Sequence, residues 1–172
     1  MSAIIVRGAE QGDVAAIAGV HVRAWRAAYR GLVHDAVLDE LSVAERERAW
    51  RELVPSRDDA HVTTVAEIGG AVVGFCSVAA PSRDADAPEG TAEIPAIYVE
   101  PGLRRSGVGT ALLDAALVAL EAAGWQRVTL WVVAANAPAR AFYARFGFRP
   151  DGASQAVEAL GASLDRLVRE GG

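Results

Sequence analysis

The chain has 172 residues, of which 52% are hydrophobic, and this is enough for one domain with a buried core. Its 17 basic and 22 acidic residues give a formal charge of −5, which disfavours general nucleic-acid binding because that affinity depends on neutralising phosphates. Cys76 is the only cysteine and every basic residue is arginine, so the sequence excludes an intrachain disulfide, a Schiff-base lysine and the lysine of a P-loop.

The N-terminal part of the chain predicts one strand followed by helices. A short apolar run over residues 3–7 predicts the strand, and Asp13 is placed to cap the helix that follows. Ser42 and Glu45 form a capping-box pattern at the start of a further helix. Pro55 is expected to end that helix, because proline cannot continue the hydrogen-bond pattern.

The middle of the chain predicts strands. The dipeptide Gly69-Gly70 is typical of a hairpin turn between two of them. Residues 81–90 are rich in proline, aspartate and alanine and predict a loop. Pro95 lies inside the last strand and indicates a bulge or an unpaired edge, since proline has no N–H group. The predicted strands cover residues 61–68, 71–79 and 91–99.

The C-terminal part alternates between helix and strand. Residues 107–123 predict a helix with its leucines on one face, and residues 127–134 predict an apolar strand typical of the centre of a sheet. Asn136 is placed to cap the next helix, with Pro138 in its first turn. The tail over residues 157–169 is ambiguous, because its apolar residues have helical spacing while part of it also suits a strand.

A glycine-containing segment joins the third predicted strand to the helix after it. Gly107 and Gly109 lack a Cβ at the start of that helix, where free backbone N–H groups and the helix dipole favour an anion. Arg104 and Arg105 add positive charge and fork-shaped donors just before it. A pyrophosphate fits this arrangement, although glycine pairs at helix starts are also common in plain loops.

The helix that Asn136 would cap carries an aromatic group of residues. Phe142 and Phe146 lie one turn apart and are expected to face the core. Tyr143 lies beside that stripe, so its ring can be buried while its hydroxyl reaches a cleft. On this segment alone, a packed tyrosine without a chemical role is the plainer interpretation.

Together these segments resemble the GNAT acetyltransferase family. The segment Arg104-x-x-Gly107-x-Gly109 fits the family pattern Q/R-x-x-G-x-G/A, and the match extends from about residue 93 to residue 150. The later motifs follow in the family's order: the strand over 127–134, Asn136, Phe142-Tyr143 and Gly147-Phe148. The resemblance implies a single acetyltransferase domain over residues 1–172.

The resemblance also implies the fold and the position of the cosubstrate. The expected fold is α/β, with a mixed, mostly antiparallel central sheet that splays open in the middle and carries helices on both faces. Acetyl-CoA would enter the split, with its pyrophosphate on the glycine loop and its pantetheine arm paired like an added strand, and no metal is expected. The family also ends in two strands, which favours strands for the tail. The implied cofactor-binding residues are Ile97, Val99, Arg104, Arg105, Gly107, Val108, Gly109, Thr110 and Asn136.

The chemistry of acetyl transfer requires a neutral amine and a protonated leaving thiol. An amine with an ordinary pKa of ~10.4 must lose a proton before it attacks. Glu93, on the strand that lines the split, is the candidate base, directly or through water, with a solvated carboxylate as the alternative. Tyr143 matches the acid that the family uses to protonate the thiolate. Trp25 and Tyr29 would bind the acceptor substrate, with core packing as their alternative role.

The sequence therefore predicts an N-acetyltransferase that moves an acetyl group from acetyl-CoA to an amine of a small molecule or peptide by direct attack. The alternative is a non-catalytic, regulatory acyl-CoA-binding module, which would keep the glycine loop and lose the acid and base. A nucleotide-binding protein is disfavoured, because its G-x-G-x-x-G is absent at Gly107 and would follow the first strand.

The setting expected for this enzyme is the cytoplasm. The sequence begins without the charged and apolar regions of a signal peptide, it has no apolar run of ~20 residues, and its one cysteine suits a reducing compartment. We therefore expect an amine acceptor as partner, and neither nucleic acid nor membrane. Polyamines, aminoglycosides, amino acids and peptide N-termini remain open as acceptors, and so does the oligomeric state, a homodimer included.

Overall fold

The computed structural model describes residues 3–54 and 60–171 and contains one seven-stranded sheet. The strands are β1 (Ile4–Gly8), β2 (His61–Ile68), β3 (Ala71–Ala79), β4 (Thr91–Val99), β5 (Arg127–Val133), β6 (Arg149–Val157) and β7 (Ala162–Glu170). The helices are α1 (Val14–Tyr29), α2 (Asp35–Asp39), α3 (Val43–Leu53), α4 (Val108–Ala122) and α5 (Ala137–Ala144). The predicted α/β fold with a mixed sheet is confirmed, and the tail forms two strands.

The order of strands in the sheet is β1-β2-β3-β4-β5-β7-β6. Every neighbouring pair is antiparallel except β4 and β5, which are parallel. The pairing of β4 with β5 covers only Thr91–Glu93 against Arg127–Thr129, whereas β5 pairs with β7 along its whole length. The two parallel strands therefore diverge beyond Glu93, and this confirms the split in the middle of the sheet.

A bulge in β4 lies at Pro95, where the sequence predicted a bulge or an unpaired edge. Ser77 pairs with Ala96 and Ala79 pairs with Glu93, so two steps along β3 correspond to three steps along β4. The extra residue reverses the alternation of side chains between the two faces of the strand. Pro95 fits this position because it has no N–H group to lose from the ladder.

Two apolar layers cover the sheet. On one face, α4 packs through Leu112 and Leu113, which are fully buried against the central strands. On the other face, α1 and α3 pack through Ile17 and Trp50 against Phe75 of β3. Each fully buried apolar side chain of this size contributes ~1.5–3 kcal/mol on transfer from water, so these layers hold the two halves of the split sheet in place.

Local sequence signals account for the turns and caps. Gly69 and Gly70 have φ angles of 60° and 83°, which the tight turn between β2 and β3 requires, so the hairpin is confirmed. The Ser42 side chain accepts a hydrogen bond from the Glu45 N–H, so the cap of α3 is confirmed. Pro55, the expected end of that helix, lies outside the described residues.

Asp13 stands at the N-terminal cap of α1, as predicted, but its carboxylate makes no capping hydrogen bond to the helix. It instead accepts hydrogen bonds from Arg7 at 2.7 and 2.9 Å and from the Glu10 N–H at 2.8 Å. A charged guanidinium is a stronger donor than a helix N–H. The ion pair between Arg7 and Asp13 therefore joins β1 to the start of α1. In the part of the chain that the structure describes, the helices are too short or too polar to cross a membrane.

Candidate active site

The edge of β4 that faces the split exposes backbone hydrogen-bonding groups. The Glu100 N–H donates to the Val73 carbonyl at 2.8 Å, so alternate residues of β4 direct their N–H and C=O groups toward β3. Ile97 and Val99 therefore direct theirs into the split, where β5 does not reach them. An extended ligand with amide groups can add to such an edge like a strand.

The first turn of α4 opens at the end of this edge. The Ala111 N–H donates to the Gly107 carbonyl at 2.9 Å and closes the first intrahelical bond. The N–H groups of Val108, Gly109 and Thr110 precede that bond and have no acceptor within the helix. Because the cap residue Gly107 has no side chain, no capping group occupies this end of the described helix. The arrangement is suited to an anion such as a phosphate.

Gly107 and Gly109 are glycines for different reasons. Gly107 has a φ angle of 91°, a left-handed conformation that favours glycine, and a Cβ there would meet only Ile4 at 3.7 Å. A Cβ on Gly109 would meet the ring of Phe142 at 3.5 Å and Val99 at 3.7 Å, which are ordinary contact distances. Gly107 is thus required by the backbone, while Gly109 borders the packing of α5 on α4.

The arginines before α4 lie at the surface. Arg104 and Arg105 are both exposed, and Arg105 has a φ angle of 64°. A left-handed conformation costs a residue other than glycine ~1–2 kcal/mol, and such strain is typical of functional loops. The Ser106 hydroxyl donates to the Leu103 carbonyl at 2.6 Å and closes this turn. Both guanidinium groups remain candidates for contacts with phosphates.

Asn136 caps α5, as predicted. Its side-chain oxygen accepts a hydrogen bond from the Ala139 N–H at 3.3 Å, and the residue is buried. The cap is a sufficient reason for an asparagine at this position. A contact of Asn136 with the CoA arm stays a prediction.

Three tyrosines meet in the split between β4 and β5. Tyr29 of α1, Tyr98 of β4 and Tyr143 of α5 line a cavity of about 40 Å³ there. The Tyr29 and Tyr98 hydroxyl groups lie 3.3 Å apart. Burial raises the pKa of all three phenols, so they are proton donors at neutral pH and not bases.

Tyr143, the predicted acid, lines the cavity in the split. Its half-buried ring packs against Phe142 and Phe148, with ring centroids 5.3 and 5.9 Å apart, respectively. The helix that carries it lies across the split from Tyr29 and Tyr98, so the residue lines the cavity while its ring contributes to the core. Its role as proton donor stays a prediction.

Glu93 lies at the closed end of the split, paired with Thr129 of β5. Its buried carboxylate accepts hydrogen bonds from the Arg83 guanidinium at 2.8 Å and from the Arg83 backbone N–H at 3.0 Å. Burial acts to raise the pKa of Glu93, but the hydrogen bonds and charge of Arg83 outweigh it and lower that pKa. Glu93 as the base stays a prediction; such a carboxylate is ionised and weakly basic, and water must connect it to an amine in the cavity.

His21 is a packed histidine on the buried face of α1. Its Nδ1 accepts a hydrogen bond from Trp50 Nε1 at 3.0 Å, and its ring stacks on Tyr98 with centroids 5.2 Å apart. Burial lowers the pKa of His21 to about 4, so the ring is neutral at pH 7. Cys76 is buried, and burial raises the pKa of its thiol to about 12, which excludes a thiolate nucleophile at neutral pH.

The two aromatic residues predicted to bind the acceptor lie at different depths. Tyr29 lines the cavity, and Trp25 packs edge-on against it with ring centroids 4.9 Å apart. The Trp25 Nε1 is buried without a hydrogen-bond partner among the described residues. A ligand in the cavity can therefore contact Tyr29 directly, while Trp25 contributes by packing against the Tyr29 ring.

Sequence reasoning missed two residues of this site, Tyr98 and Trp131. Both line the cavity. The Trp131 Nε1 donates to Asp84 at 3.1 Å, and the Arg166 guanidinium lies 5.5 Å from the Trp131 ring centroid. The bulge at Pro95 was the available signal for Tyr98, because the change of face places Tyr98 on the side of α1.

The turn after α1 meets the turn before β7. The His34 N–H donates to the Leu160 carbonyl at 2.8 Å. Gly161 has a φ angle of 64°, and a Cβ there would overlap the ring of His34. No group of three His, Cys, Asp or Glu residues in the described chain could hold a metal ion.

Comparison with known proteins identifies the fold and the family. Residues 22–148 match the Acetyltransferase (GNAT) family. The uncharacterized N-acetyltransferase YuaI of Bacillus subtilis (strain 168) is 31% identical over 140 residues, which cover 81% of this chain and 77% of that protein. The mycothiol acetyltransferase of Beutenbergia cavernae is 48% identical over 60 residues, which cover 35% of this chain and 20% of that protein.

A solved structure agrees along the whole chain. The PaiA N-acetyltransferase of Thermoplasma acidophilum, determined in complex with coenzyme A, superposes with a TM-score of 0.79 at 18% sequence identity. The superposition covers 98% of this chain and 99% of that one. With the split sheet and the open start of α4, these matches confirm the resemblance seen in the sequence: the chain belongs to the GNAT acetyltransferase family and is an acetyl-transferring enzyme.

Proposed function

We propose that this enzyme transfers the acetyl group of acetyl-CoA to a primary amine by direct attack, with residues 1–172 acting as one domain. The observation that carries the proposal is the continuity of three features along one cleft. These features are the open backbone edge of β4, the uncapped start of α4, and the tyrosines that line the cavity in the split. One ligand could place an anionic group at the start of α4, amide groups along the edge of β4 and a reactive group beside the tyrosines.

The residues of the cleft fit acetyl-CoA. The N–H groups of Val108, Gly109 and Thr110 would bind the pyrophosphate, and Ile97 and Val99 would pair with the amides of the pantetheine arm through their backbone groups. The guanidinium groups of Arg104 and Arg105 and the side-chain amide of Asn136 would complete the proposed site. The thioester supplies an acetyl group that is already activated toward nucleophiles.

The proposed chemistry requires the protein to stabilise charge on the carbonyl oxygen and to protonate the departing sulfur. The amine nitrogen forms a bond to the carbonyl carbon while the carbon–sulfur bond breaks. A backbone N–H of the β4 edge would stabilise the charge that develops on the carbonyl oxygen. Tyr143 would donate its phenolic proton to the departing sulfur. The proton lost by the nitrogen would pass through water, which Glu93 would help to order, to the phenolate of Tyr143.

Steady release of CoA thiol in the presence of an amine tests this proposal. Thiol release that requires both acetyl-CoA and an amine is the expected result. The alternative, a regulatory acyl-CoA-binding module, predicts saturable binding of acetyl-CoA without turnover. The presence of Tyr143 beside the cleft favours the enzyme over that module.

A further inference from the structure

The end of the cleft where the acceptor would bind has an uncharged lining. The described residues that line the cavity include Tyr29, Tyr98, Trp131 and Tyr143, and none of them carries a carboxylate, an imidazole or a guanidinium. Burial raises the pKa of the three phenols, so they do not accept a proton from an ammonium group at neutral pH. An ammonium ion that entered this cavity would lose its hydration without gaining an ionic partner.

The charged groups around the cavity are already paired or are themselves cationic. The Glu93 carboxylate is held by Arg83 at 2.8 Å. Asp84 accepts from Trp131 Nε1 at 3.1 Å and lies 3.4 Å from the guanidinium of Arg166. In both cases the positive partner offsets the charge that would attract an ammonium ion.

Arginines also stand over both tryptophans of this region. The guanidinium of Arg46 lies 5.8 Å from the ring centroid of Trp25, and that of Arg166 lies 5.5 Å from the ring centroid of Trp131. An aromatic ring that already binds a cation is a poorer partner for a second one, because the two positive charges repel each other. These rings therefore do not form a cage for a substrate cation.

We propose that the acceptor is a weakly basic primary amine, the α-amino group of a peptide or amino-acid amide, and that the site discriminates against alkylamines and polyamines. The proposal rests on the proposed function and narrows its substrate class. An α-amino group with a pKa of ~7.7–8.0 is about one-quarter neutral at pH 7.4, whereas an alkylamine of pKa ~10.4 is only ~0.1% neutral. A cleft that accepts the neutral form alone would separate the two by on the order of a hundredfold.

A neutral acceptor also balances the reaction without a carboxylate or imidazole base. The nitrogen forms its bond to the carbonyl carbon as the carbon–sulfur bond breaks, and the sulfur takes the proton of Tyr143. The proton that the nitrogen loses passes through water to the phenolate of Tyr143. The products are the amide and the free thiol, and no net proton leaves the site.

Two isomers of acetylated lysinamide test the proposal, because they contain the same atoms and differ only in which amino group is free. Nε-acetyl-lysinamide offers only an α-amino group, and Nα-acetyl-lysinamide offers only the ε-amino group. We expect thiol release at pH 7 to give the first isomer a kcat/KM at least tenfold higher. The kcat/KM of the second isomer should rise about tenfold per pH unit from pH 7 to 9, while that of the first levels off above pH 8.

A pair of arginine variants tests whether the positive charge of Arg46 contributes to the preference for the α-amino isomer. Arg46→Gln removes the cation over Trp25 without changing a residue that lines the cavity, and it should reduce the preference for the α-amino isomer at least twofold. Arg48→Gln, at an exposed position of the same helix, should leave that preference unchanged. An unchanged preference in Arg46→Gln would contradict the part assigned to the arginine.

Spermidine and alaninamide complete the panel and separate two kinds of failure. If spermidine or the ε-amino isomer reacts at neutral pH as well as the α-amino acceptors or better, the inferred substrate class is wrong while the acetyltransferase function stands. If none of the four amines releases thiol between pH 7 and 9 although acetyl-CoA binds, the proposed function fails and the substrate class with it.

Discussion

The hydroxyl groups of Tyr29 and Tyr98 lie 3.3 Å apart and join α1 to β4 beside the cavity in the split. Tyr98 also stacks on His21, with the two rings inclined by only 16°. His21 in turn accepts a hydrogen bond from Trp50 of α3 at 3.0 Å. The position of the Tyr98 hydroxyl therefore depends on side chains that lie outside the cleft.

Replacing Tyr143 by phenylalanine tests the proposed acid. Tyr143→Phe keeps the ring packed on Phe142 and Phe148 and removes only the proton donor. We expect kcat to fall by on the order of 10²–10⁴-fold, the usual contribution of a general acid. Acetyl-CoA affinity and melting temperature should change little. Because burial raises the pKa of Tyr143, no loss of activity from its ionisation is expected near neutral pH.

Tyr29→Phe is the matched control for that variant. It also removes one phenolic hydroxyl from the cavity, but on the side of α1, where the hydroxyl contacts Tyr98. We expect it to raise KM for the amine and to leave kcat within a few-fold of the original. Equal losses of kcat in both variants would show that the hydroxyls act together and that Tyr143 is not a distinct acid.

Two glycines at opposite ends of α4 allow a matched test of the phosphate site. Gly107 and Gly124 have φ angles of 91° and 87°, so alanine at either position should cost a similar ~1–2 kcal/mol of stability. Only Gly107→Ala should also weaken acetyl-CoA binding, at least tenfold or about 1.4 kcal/mol. Calorimetric titration of both variants measures this. Equal affinities would remove the start of α4 from the binding site.

The sequence predicted those elements whose signals are local. The glycine pair of the β2–β3 hairpin, the cap at Asn136 and the bulge at Pro95 each depend on the conformation of a few adjacent residues, so each was placed correctly. The tail was ambiguous, because its helical spacing carries no information about pairing. Its strands form because β7 pairs with β5 along the whole length of β5, with Leu167 opposite Leu130, and β6 pairs with β7.

The parts of the site that the sequence did not reveal depend on distant residues. Tyr98 reaches the cavity only because the bulge changes the face of β4, and its partner Tyr29 is 69 residues away. Glu93 was a plausible base as an isolated carboxylate on a strand. Its partner Arg83 belongs to the 81–90 loop, whose path over the sheet no periodicity in the sequence specifies.

Glu93→Gln separates a structural role from a catalytic one. The pKa of Glu93 is lowered in the folded protein, since Arg83 outweighs the opposite effect of burial. Its ion pair therefore adds stability above the ordinary glutamate pKa of ~4.3, and that stability is lost as the pH falls through the lower, folded value. We expect the variant to lose about 1 kcal/mol at pH 7, because the Arg83 side chain is 57% exposed and solvent weakens the pair.

Urea unfolding at several pH values measures that effect, and the gap between the two proteins should close as the pH falls below ~4. The kcat of Glu93→Gln with an α-amino acceptor should stay within about threefold of the original, because water takes up the proton of a weakly basic amine. A loss of 10²-fold or more in a folded variant would instead identify Glu93 as the base.

A double-mutant cycle at Gly161 and His34 tests the contact between the turn after α1 and the turn before β7. Gly161→Ala should lower the free energy of unfolding by about 2–4 kcal/mol, since the left-handed backbone is strained and the new methyl group overlaps the His34 ring. His34→Ala alone should cost less. In the double variant the overlap is gone, so its cost should fall at least 1 kcal/mol below the sum of the two single costs. Urea denaturation gives all three values. Costs that add to within ~0.5 kcal/mol would mean that the His34 ring does not occupy this place beside Gly161.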